Sequence, residues 1–226
     1  MSGTLYIVAT PIGNLKDVTL RALETLKEVD AIYCEDTRVT SKLLARYQIK
    51  KSLFRLDAVT ERKKALEVIS RLEKGEKIAL VSDAGTPGGL SDPGAHLVST
   101  VRKELPDAKI HPIPGASSVV AAFSVSGIES DGFTFAGFLP HKKGRQKTLD
   151  RLLKSELPII LFESPHRMEK LLRELCLRAP DRHVVICREL TKLYEEIAVG
   201  PVSEVEARFR NGAISGKGEF VVILAP

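Results

Sequence analysis

Residues 78–94 read Ile-Ala-Leu-Val-Ser-Asp-Ala-Gly-Thr-Pro-Gly-Gly-Leu-Ser-Asp-Pro-Gly, a short apolar run that passes directly into a loop. Consecutive apolar residues are typical of a strand that is covered on both faces. The loop has four glycines, two prolines and two aspartates, more than a simple connection needs. Such a loop lets a ligand approach the main chain closely, so we interpret it as a ligand loop rather than a structural one. Its end, Asp92-Pro93-Gly94, predicts a helix start with Asp92 as the cap.

The same order of apolar run, polar loop and helix-period segment recurs through the first half of the chain. This alternation predicts an open, mostly parallel sheet with helices on both faces. Ligands bind such sheets at the carboxyl ends of the strands. The predicted strands are residues 5–9, 31–34, 53–56, 78–81 and 110–113.

The pattern changes after Pro114-Gly115, where a small-residue segment, 116–127, is predicted to be helical. We expect an α/β domain at residues 1–115 and a second α/β domain at residues 116–226. Late strands that follow one another without a helix between them indicate a mixed sheet in the second domain. Its predicted strands are residues 159–162, 184–187, 195–199 and 220–224, with helices at 169–177 and 202–209.

The composition is that of an ordinary globular chain, with 226 residues, 43% of them hydrophobic and 28% charged. No apolar run approaches the roughly 18 residues of a membrane span, and the first residues lack the features of a signal peptide. We therefore expect a cytoplasmic protein. The three cysteines are far apart and form no C-x-x-C pair, which argues against a disulfide framework or a zinc cluster.

The positive charge of the chain is concentrated in one stretch. The whole chain carries +5, and residues 141–154 alone hold six basic residues against Asp150. A concentrated basic stretch permits contact with phosphates, although a solvated helix face is equally compatible with it. The basic residues are Lys142, Lys143, Arg145, Lys147, Arg151 and Lys154.

Polar clusters follow several of the predicted strands. Their simpler interpretations are tight turns, helix caps and surface ion pairs. Their repeated position at strand ends favours a binding site. The clusters are Thr10-Pro-Ile-Gly-Asn14, Glu35-Asp-Thr-Arg38, Pro114-Gly-Ala-Ser117, Glu163-Ser-Pro-His-Arg167 and Arg188-Glu-Leu-Thr-Lys192.

Several common signatures are missing from the sequence. No G-x-G-x-x-G motif follows the first strand, and residues 212–217 do not complete a phosphate-binding loop. H-E-x-x-H and G-x-S-x-G motifs are missing too, and the five histidines are scattered. We therefore expect neither a dinucleotide nor a metal.

Taken together, these strings closely resemble the ribosomal RNA small subunit methyltransferase I family, within the tetrapyrrole methylase superfamily. The resemblance rests on the clusters above and on further strings in the same order, over nearly the whole chain. The further strings are Tyr6-Ile-Val-Ala-Thr-Pro-Ile-Gly-Asn-Leu15, Ser82-Asp-Ala-Gly-Thr-Pro87, Ser91-Asp-Pro-Gly94 and Gly137-Phe-Leu-Pro140.

The resemblance implies a homodimer of two-domain chains that uses S-adenosylmethionine to methylate the 2′ oxygen of a cytidine in the decoding region of 16S ribosomal RNA. The acceptor would be the RNA or the assembled small subunit. The resemblance also implies a cofactor cleft between the domains, formed by Pro11, Asp83, Ala84, Gly85, Ser117, Phe162 and Leu190. RNA would be bound by Arg38, Lys142, Lys143, Arg145 and Arg167.

The sequence departs from the family pattern at three places. The loop 86–91 is one residue longer than usual, which bears on contacts at Leu90. Residues 56–61 read Leu-Asp-Ala-Val-Thr-Glu where relatives often have histidines, so no role is transferred there. The sequence ends at Pro226, without a helical extension that many relatives carry, and we expect this to affect how RNA is held.

Methyl transfer to a hydroxyl depends mainly on alignment of the reacting atoms, with a nearby base to take the proton. The candidate bases are Glu35, Asp36, or Glu189 with Lys192, because each follows a predicted strand. Two alternatives stay open at this point. The chain could methylate a tetrapyrrole or another small molecule, or it could be a non-catalytic RNA-binding factor. The basic stretch favours RNA over a substrate that needs an enclosed apolar trough.

Overall fold

The computed structural model describes residues 2–89 and 92–226 of the chain. Leu90, at which the longer loop bears on ligand contacts, lies outside the described residues, as does Ser91. The chain divides into two compact units, Met1–Ser117 and Ser118–Pro226. The predicted boundary after residue 115 lies two residues before this division. Within the described ranges, no helix is both long and apolar enough to span a bilayer.

The first unit is a parallel sheet of five strands joined by helices. Its sheet order is β3-β2-β4-β1-β5. Because all the strand pairs are parallel, every strand presents its carboxyl end at the same edge. The elements are β1 (Thr4–Val8), α1 (Leu20–Glu28), β2 (Ala31–Cys34), α2 (Thr37–Arg46), β3 (Leu53–Arg55), α3 (Glu61–Glu73), β4 (Lys77–Val81), α4 (Ala95–Glu104) and β5 (Lys109–Ile113).

Both faces of this sheet are covered by apolar side chains, as the unbroken apolar strands predict. On one face, α3 and α4 contribute Val68, Leu72 and Leu97 to a buried core. On the other face, α1 contributes Ala22 and Leu26. The polar groups that matter for chemistry therefore lie at the edge of the sheet rather than on its faces.

The second unit has a mixed sheet of five strands in the order β6-β7-β10-β8-β9. The pair β6–β7 is parallel and the other three pairs are antiparallel. Strand β6 and helix α6 were not predicted as elements, although the change of sequence style near residue 133 marks where β6 begins. The elements are α5 (Ser118–Ser124), β6 (Thr134–Phe138), α6 (Arg145–Leu152), β7 (Ile159–Glu163), α7 (Pro165–Cys176), β8 (His183–Arg188), β9 (Glu196–Pro201), α8 (Val202–Arg210) and β10 (Phe220–Leu224).

The fold class predicted from the sequence is confirmed: a parallel α/β unit is followed by a unit with a mixed sheet. One local prediction is wrong, because Asp92 does not cap helix α4. The cap residue is Gly94, and the Glu61 carboxylate accepts hydrogen bonds from the amides of Gly94 and Leu97, both at 2.9 Å. A distant carboxylate thus satisfies helix-end amides that a local side chain was expected to satisfy.

Candidate functional site

Four carboxylates lie at the carboxyl edge of the first sheet, and we call them the acidic edge: Glu35, Asp36, Asp83 and Asp92. Glu35 and Asp36 directly follow β2, and Asp83 lies two residues after β4. The side chain of Asp83 accepts a hydrogen bond from the Asp36 amide at 3.0 Å, which joins the two loops. Asp92, expected to be a helix cap, belongs to this group because its charge raises the pKa of Glu35.

The pKa values of the carboxylates of the acidic edge shift in different directions. Burial raises the pKa of Glu35, and the nearby charge of Asp83 raises it further. Burial likewise raises the pKa of both Asp83 and Asp92. In contrast, hydrogen bonds from the Arg38 side chain and amide lower the pKa of Asp36 to about 2. Of the two candidate bases after β2, Glu35 therefore has the more basic carboxylate, and Asp36 is held ionised by Arg38.

A glycine turn lies beside the acidic edge. Gly85 has a φ of 84°, a backbone conformation that favours glycine, and forms an isolated antiparallel bridge with Thr10. The Thr10 hydroxyl also donates to the Ser82 carbonyl at 3.0 Å. A Cβ at Gly85 would lie 3.6 Å from the Ala116 carbonyl oxygen. The structure thus brings together, within the first unit, the loops that carry Pro11, Asp83–Gly85 and Ser117.

In the second unit, the turn after β8 carries the other pair of candidate bases. Glu189 and Thr191 both have positive φ angles, 51° and 66°, which are uncommon for residues with side chains. Lys192 donates to Glu189 at 2.9 Å and to Glu219 at 2.8 Å. The bond from Lys192 lowers the pKa of Glu189. Burial opposes the charge of Lys192, but its two carboxylate partners outweigh this and raise its pKa, so the amine stays protonated.

Leu190 of this turn and Phe162 of β7 pack against the same apolar cluster, on the face of the second sheet that contacts α5. The structure therefore brings together two of the residues that the resemblance assigns to the cofactor. Phe162 is half-buried and makes aromatic contacts with Phe135 and Phe138.

The expectation that Arg145 contacts RNA is contradicted by its burial. Its side chain is 2% exposed, with Nη1 3.2 Å from Glu163 and Nε 2.8 Å from Glu174. Arg167 also contacts Glu163, at 2.6 Å. We call Arg145, Glu163, Arg167 and Glu174 the buried ion cluster. Arg145 is paired with two carboxylates inside the protein, and its burial keeps its guanidinium away from RNA phosphates.

The other basic residues of the stretch are exposed, and we call them the basic surface: Lys142, Lys143, Lys147, Arg151 and Lys154. Three of them, Lys147, Arg151 and Lys154, line an open concavity together with Thr148. Arg38 is exposed as well, although its guanidinium is paired with Asp36. The positive charge predicted to meet phosphate is thus available at the basic surface, without Arg145.

Comparison with known proteins decides the family. The sequence pattern of the tetrapyrrole (corrin/porphyrin) methylases matches residues 4–206. A protein of Borrelia garinii named Ribosomal RNA small subunit methyltransferase I is 46% identical over 222 residues, covering 98% of both chains. Its namesake from Neisseria meningitidis serogroup B is 42% identical over 227 residues, covering 100% of this chain and 77% of that protein. The chain belongs to the ribosomal RNA small subunit methyltransferase I family.

Solved structures share the fold of this methyltransferase at low identity. Diphthine synthase has a TM-score of 0.74 at 15% identity, covering 99% of this chain and 90% of that one. Uroporphyrin-III C-methyltransferase of Thermus thermophilus, solved with S-adenosylhomocysteine, has a TM-score of 0.67 at 17% identity, covering 99% and 97%. The family and the enzyme class predicted from the sequence are both confirmed.

Proposed function

We propose that this methyltransferase transfers a methyl group from S-adenosylmethionine to the 2′ oxygen of a cytidine ribose in 16S ribosomal RNA. The observation that carries the proposal is the 41–46% identity to proteins named for the small-subunit RNA, over 98–100% of this chain. A basic surface of five exposed cations supports an RNA substrate, because phosphate contacts supply much of the affinity of RNA-binding proteins.

The first unit fits a cationic methyl donor. S-adenosylmethionine supplies an electrophilic methyl group on a sulfonium, and its ammonium and carboxylate offset one another, so its net charge is positive. The acidic edge offers four carboxylates, three of which have a raised pKa. Burial is the main cause of these raised pKa values and the neighbouring negative charges add to it, so a nearby cation would stabilise the ionised carboxylates and the edge is suited to a positively charged ligand. Pro11, the turn Asp83–Gly85 and Ser117 would hold the donor in the first unit, with Phe162 and Leu190 as the proposed contacts in the second.

Glu35 is the proposed base. The pKa of Glu35 is raised from that of an ordinary carboxylate towards neutral pH, so Glu35 is better matched to accept the proton of a ribose hydroxyl. Within residues 2–89 and 92–226, no hydrogen-bond donor contacts its carboxylate, which leaves the oxygens available. The lowered pKa of Glu189 and the protonated state of Lys192 make that pair better suited to binding than to proton removal.

The remaining proposals rest on the family resemblance. We propose a homodimer, which light scattering of the purified chain would detect, and a cytoplasmic location. We also propose that the acceptor is either the free small-subunit RNA or the assembled small subunit, which the parallel reactions below distinguish.

The test is transfer of a tritiated methyl group from S-adenosylmethionine to small ribosomal subunits from a strain that lacks the enzyme, followed by mapping of the labelled ribose. Parallel reactions contain protein-free 16S RNA and uroporphyrinogen III. Label at one cytidine ribose is the expected result. Label on the tetrapyrrole alone would support the small-molecule alternative, and calorimetry without any S-adenosylmethionine binding would support a non-catalytic factor.

A further inference from the structure

Strand β6 contains a bulge that changes the direction of one aromatic side chain. Phe135 pairs with Ile160 of β7, whereas Gly137 pairs with the next residue, Leu161, so that Ala136 is an extra residue. Gly137 has a φ of 61°, the left-handed conformation that such a bulge uses. Residues three apart point to opposite faces of a regular strand. Because of the extra residue, Phe135 and Phe138 instead lie on the same side.

Both rings contact Phe162. The Phe135 and Phe162 centroids are 5.0 Å apart with an interplanar angle of 70°, and those of Phe138 and Phe162 are 5.6 Å apart with an angle of 58°. Phe135 and Phe162 are partly covered by the apolar cluster, but Phe138 is 52% exposed. The bulge therefore places at the strand end an aromatic ring that is supported on one side and open to solvent on the other.

Arg167 holds this ring in place. Its guanidinium carbon lies 5.7 Å from the Phe138 centroid. Its Nη1 donates to the carbonyl of Leu139, the residue after Phe138, at 2.9 Å, and its Nη2 pairs with buried Glu163. With its main chain tied to Arg167 and its ring packed on Phe162, Phe138 has little freedom to lose when a ligand binds, which favours affinity.

The sequence after Phe138 supplies charge for a polyanion. Lys142 and Lys143 follow within five residues and both are exposed, as is His141. An exposed aromatic ring followed closely in the sequence by exposed lysines is a combination suited to single-stranded nucleic acids, with the base stacked on the ring and the phosphates near the cations. A protein partner that bound Phe138 through an apolar surface would gain no affinity from these lysines.

We propose that Phe138 is a stacking platform for an unpaired base of the RNA substrate, positioned by Arg167 and Phe162. This inference rests on the proposed function, because it takes RNA as the substrate. It assigns Arg167 a positioning role through Phe138 in place of the direct RNA contact expected from the sequence.

The test compares Phe138→Leu, which keeps an apolar side chain of similar size, with Phe138→Tyr, which keeps the aromatic ring. Stacking on a base contributes enough affinity that its loss raises KM for undermethylated small subunits by about 5- to 150-fold in Phe138→Leu. Phe138→Tyr stays within threefold of the wild type. The affinity for S-adenosylmethionine, measured by calorimetry, is unchanged in both. Leu177→Ala, at an exposed apolar residue of the same unit, is the matched control and has the wild-type KM.

Three results would overturn the inference: a wild-type KM in Phe138→Leu, an equal loss in Phe138→Tyr, or a parallel loss of S-adenosylmethionine affinity, which would place the cofactor's adenine on the ring. Thermal unfolding checks that each variant is folded, and Phe138→Ala provides a second non-aromatic variant. A wild-type protein that binds S-adenosylmethionine but labels no RNA would contradict the proposed function instead.

Discussion

The acidic edge of the first unit and the buried ion cluster of the second unit are both groups of charged residues, but they differ in how those charges are paired. At the acidic edge, like charges lie close together and half-buried, and the pKa of Glu35 is raised. In the buried ion cluster, opposite charges alternate, with Arg145 between Glu163 and Glu174.

The difference separates a site for chemistry from a structural core. Half-buried like charges cost folding free energy, which a bound cation or proton reduces, so such a group points to a ligand. Paired opposite charges in a closed interior stabilise one another, and removing one of them takes a partner away from a buried charge. Substitution in the two regions should therefore affect different properties: turnover at the acidic edge and stability in the buried ion cluster.

The largest effect is expected from Glu35→Gln, which keeps the size of the side chain but removes its ability to accept a proton. General base catalysis contributes about 10²- to 10⁴-fold, and we expect kcat for methyl transfer to fall by that range. The affinity for S-adenosylmethionine should change little, since three carboxylates of the acidic edge remain. Glu24→Gln, at an exposed position of α1, is the matched control.

The pH dependence gives an independent check of Glu35. The base must be ionised, so kcat/KM, which reports the free enzyme, should fall as the pH drops through a pKa that lies above the ordinary value of 4.5. Asp83→Asn removes a charge that raises this pKa, so it should move the fall in kcat/KM to lower pH. Glu35 would be ruled out as the base if Glu35→Gln had normal turnover and Asp83→Asn had the same pH profile as the wild type.

The second largest effect is expected at Arg145, where the contrast between the acidic edge and the buried ion cluster predicts a loss of stability. Arg145→Met leaves Glu163 and Glu174 buried without this partner, and we expect the free energy of unfolding to fall by about 3–5 kcal/mol in urea denaturation. Lys147→Met, at an exposed position of the same helix, should change it by no more than about 0.5 kcal/mol. A loss below about 1 kcal/mol in Arg145→Met would mean that the buried ion cluster is not a structural core.

The sequence predicted the first unit well because its signals are local. Each apolar strand and the loop after it can be recognised without knowing their neighbours, and in a parallel sheet these loops meet at one edge. The group formed by Glu35 and Asp83 follows from this rule. The sequence could not show which carboxylate pairs with Arg38, because the bond from Arg38 to Asp36 depends on the direction of the side chains.

The misassignment of Arg145 has a different cause. Counting charges along residues 141–154 treats them as one surface, but a helix turns its residues to different sides. Leu149, four residues after Arg145, is fully buried, so the helical period places Arg145 on the inner face too. That signal was present in the sequence. Its partners Glu163 and Glu174 lie on β7 and α7, and no local pattern links them to α6.

The smallest effect, and the most direct test of the revised RNA surface, is expected from Lys142→Ala combined with Lys143→Ala. Both lysines are exposed, so the double variant should keep its stability and lose affinity for 16S RNA. The informative quantity is the slope of log affinity against log salt concentration, because each phosphate contact to a single strand contributes about 0.7 to it. We expect the slope to become shallower by about 1.4 in the double variant.

This measurement distinguishes an effect of the basic surface from an effect of the net charge of the protein. Arg62→Ala with Lys63→Ala removes the same charge from adjacent exposed positions of α3 in the first unit, and it should leave the slope unchanged. A folded Arg145→Gln variant should do so too, because a residue enclosed by Glu163 and Glu174 makes no phosphate contact that the loss of its charge could remove. If the Arg62 and Lys63 variant flattened the slope as much as the Lys142 and Lys143 variant, RNA would be responding to net charge, and the basic surface would not be its binding site.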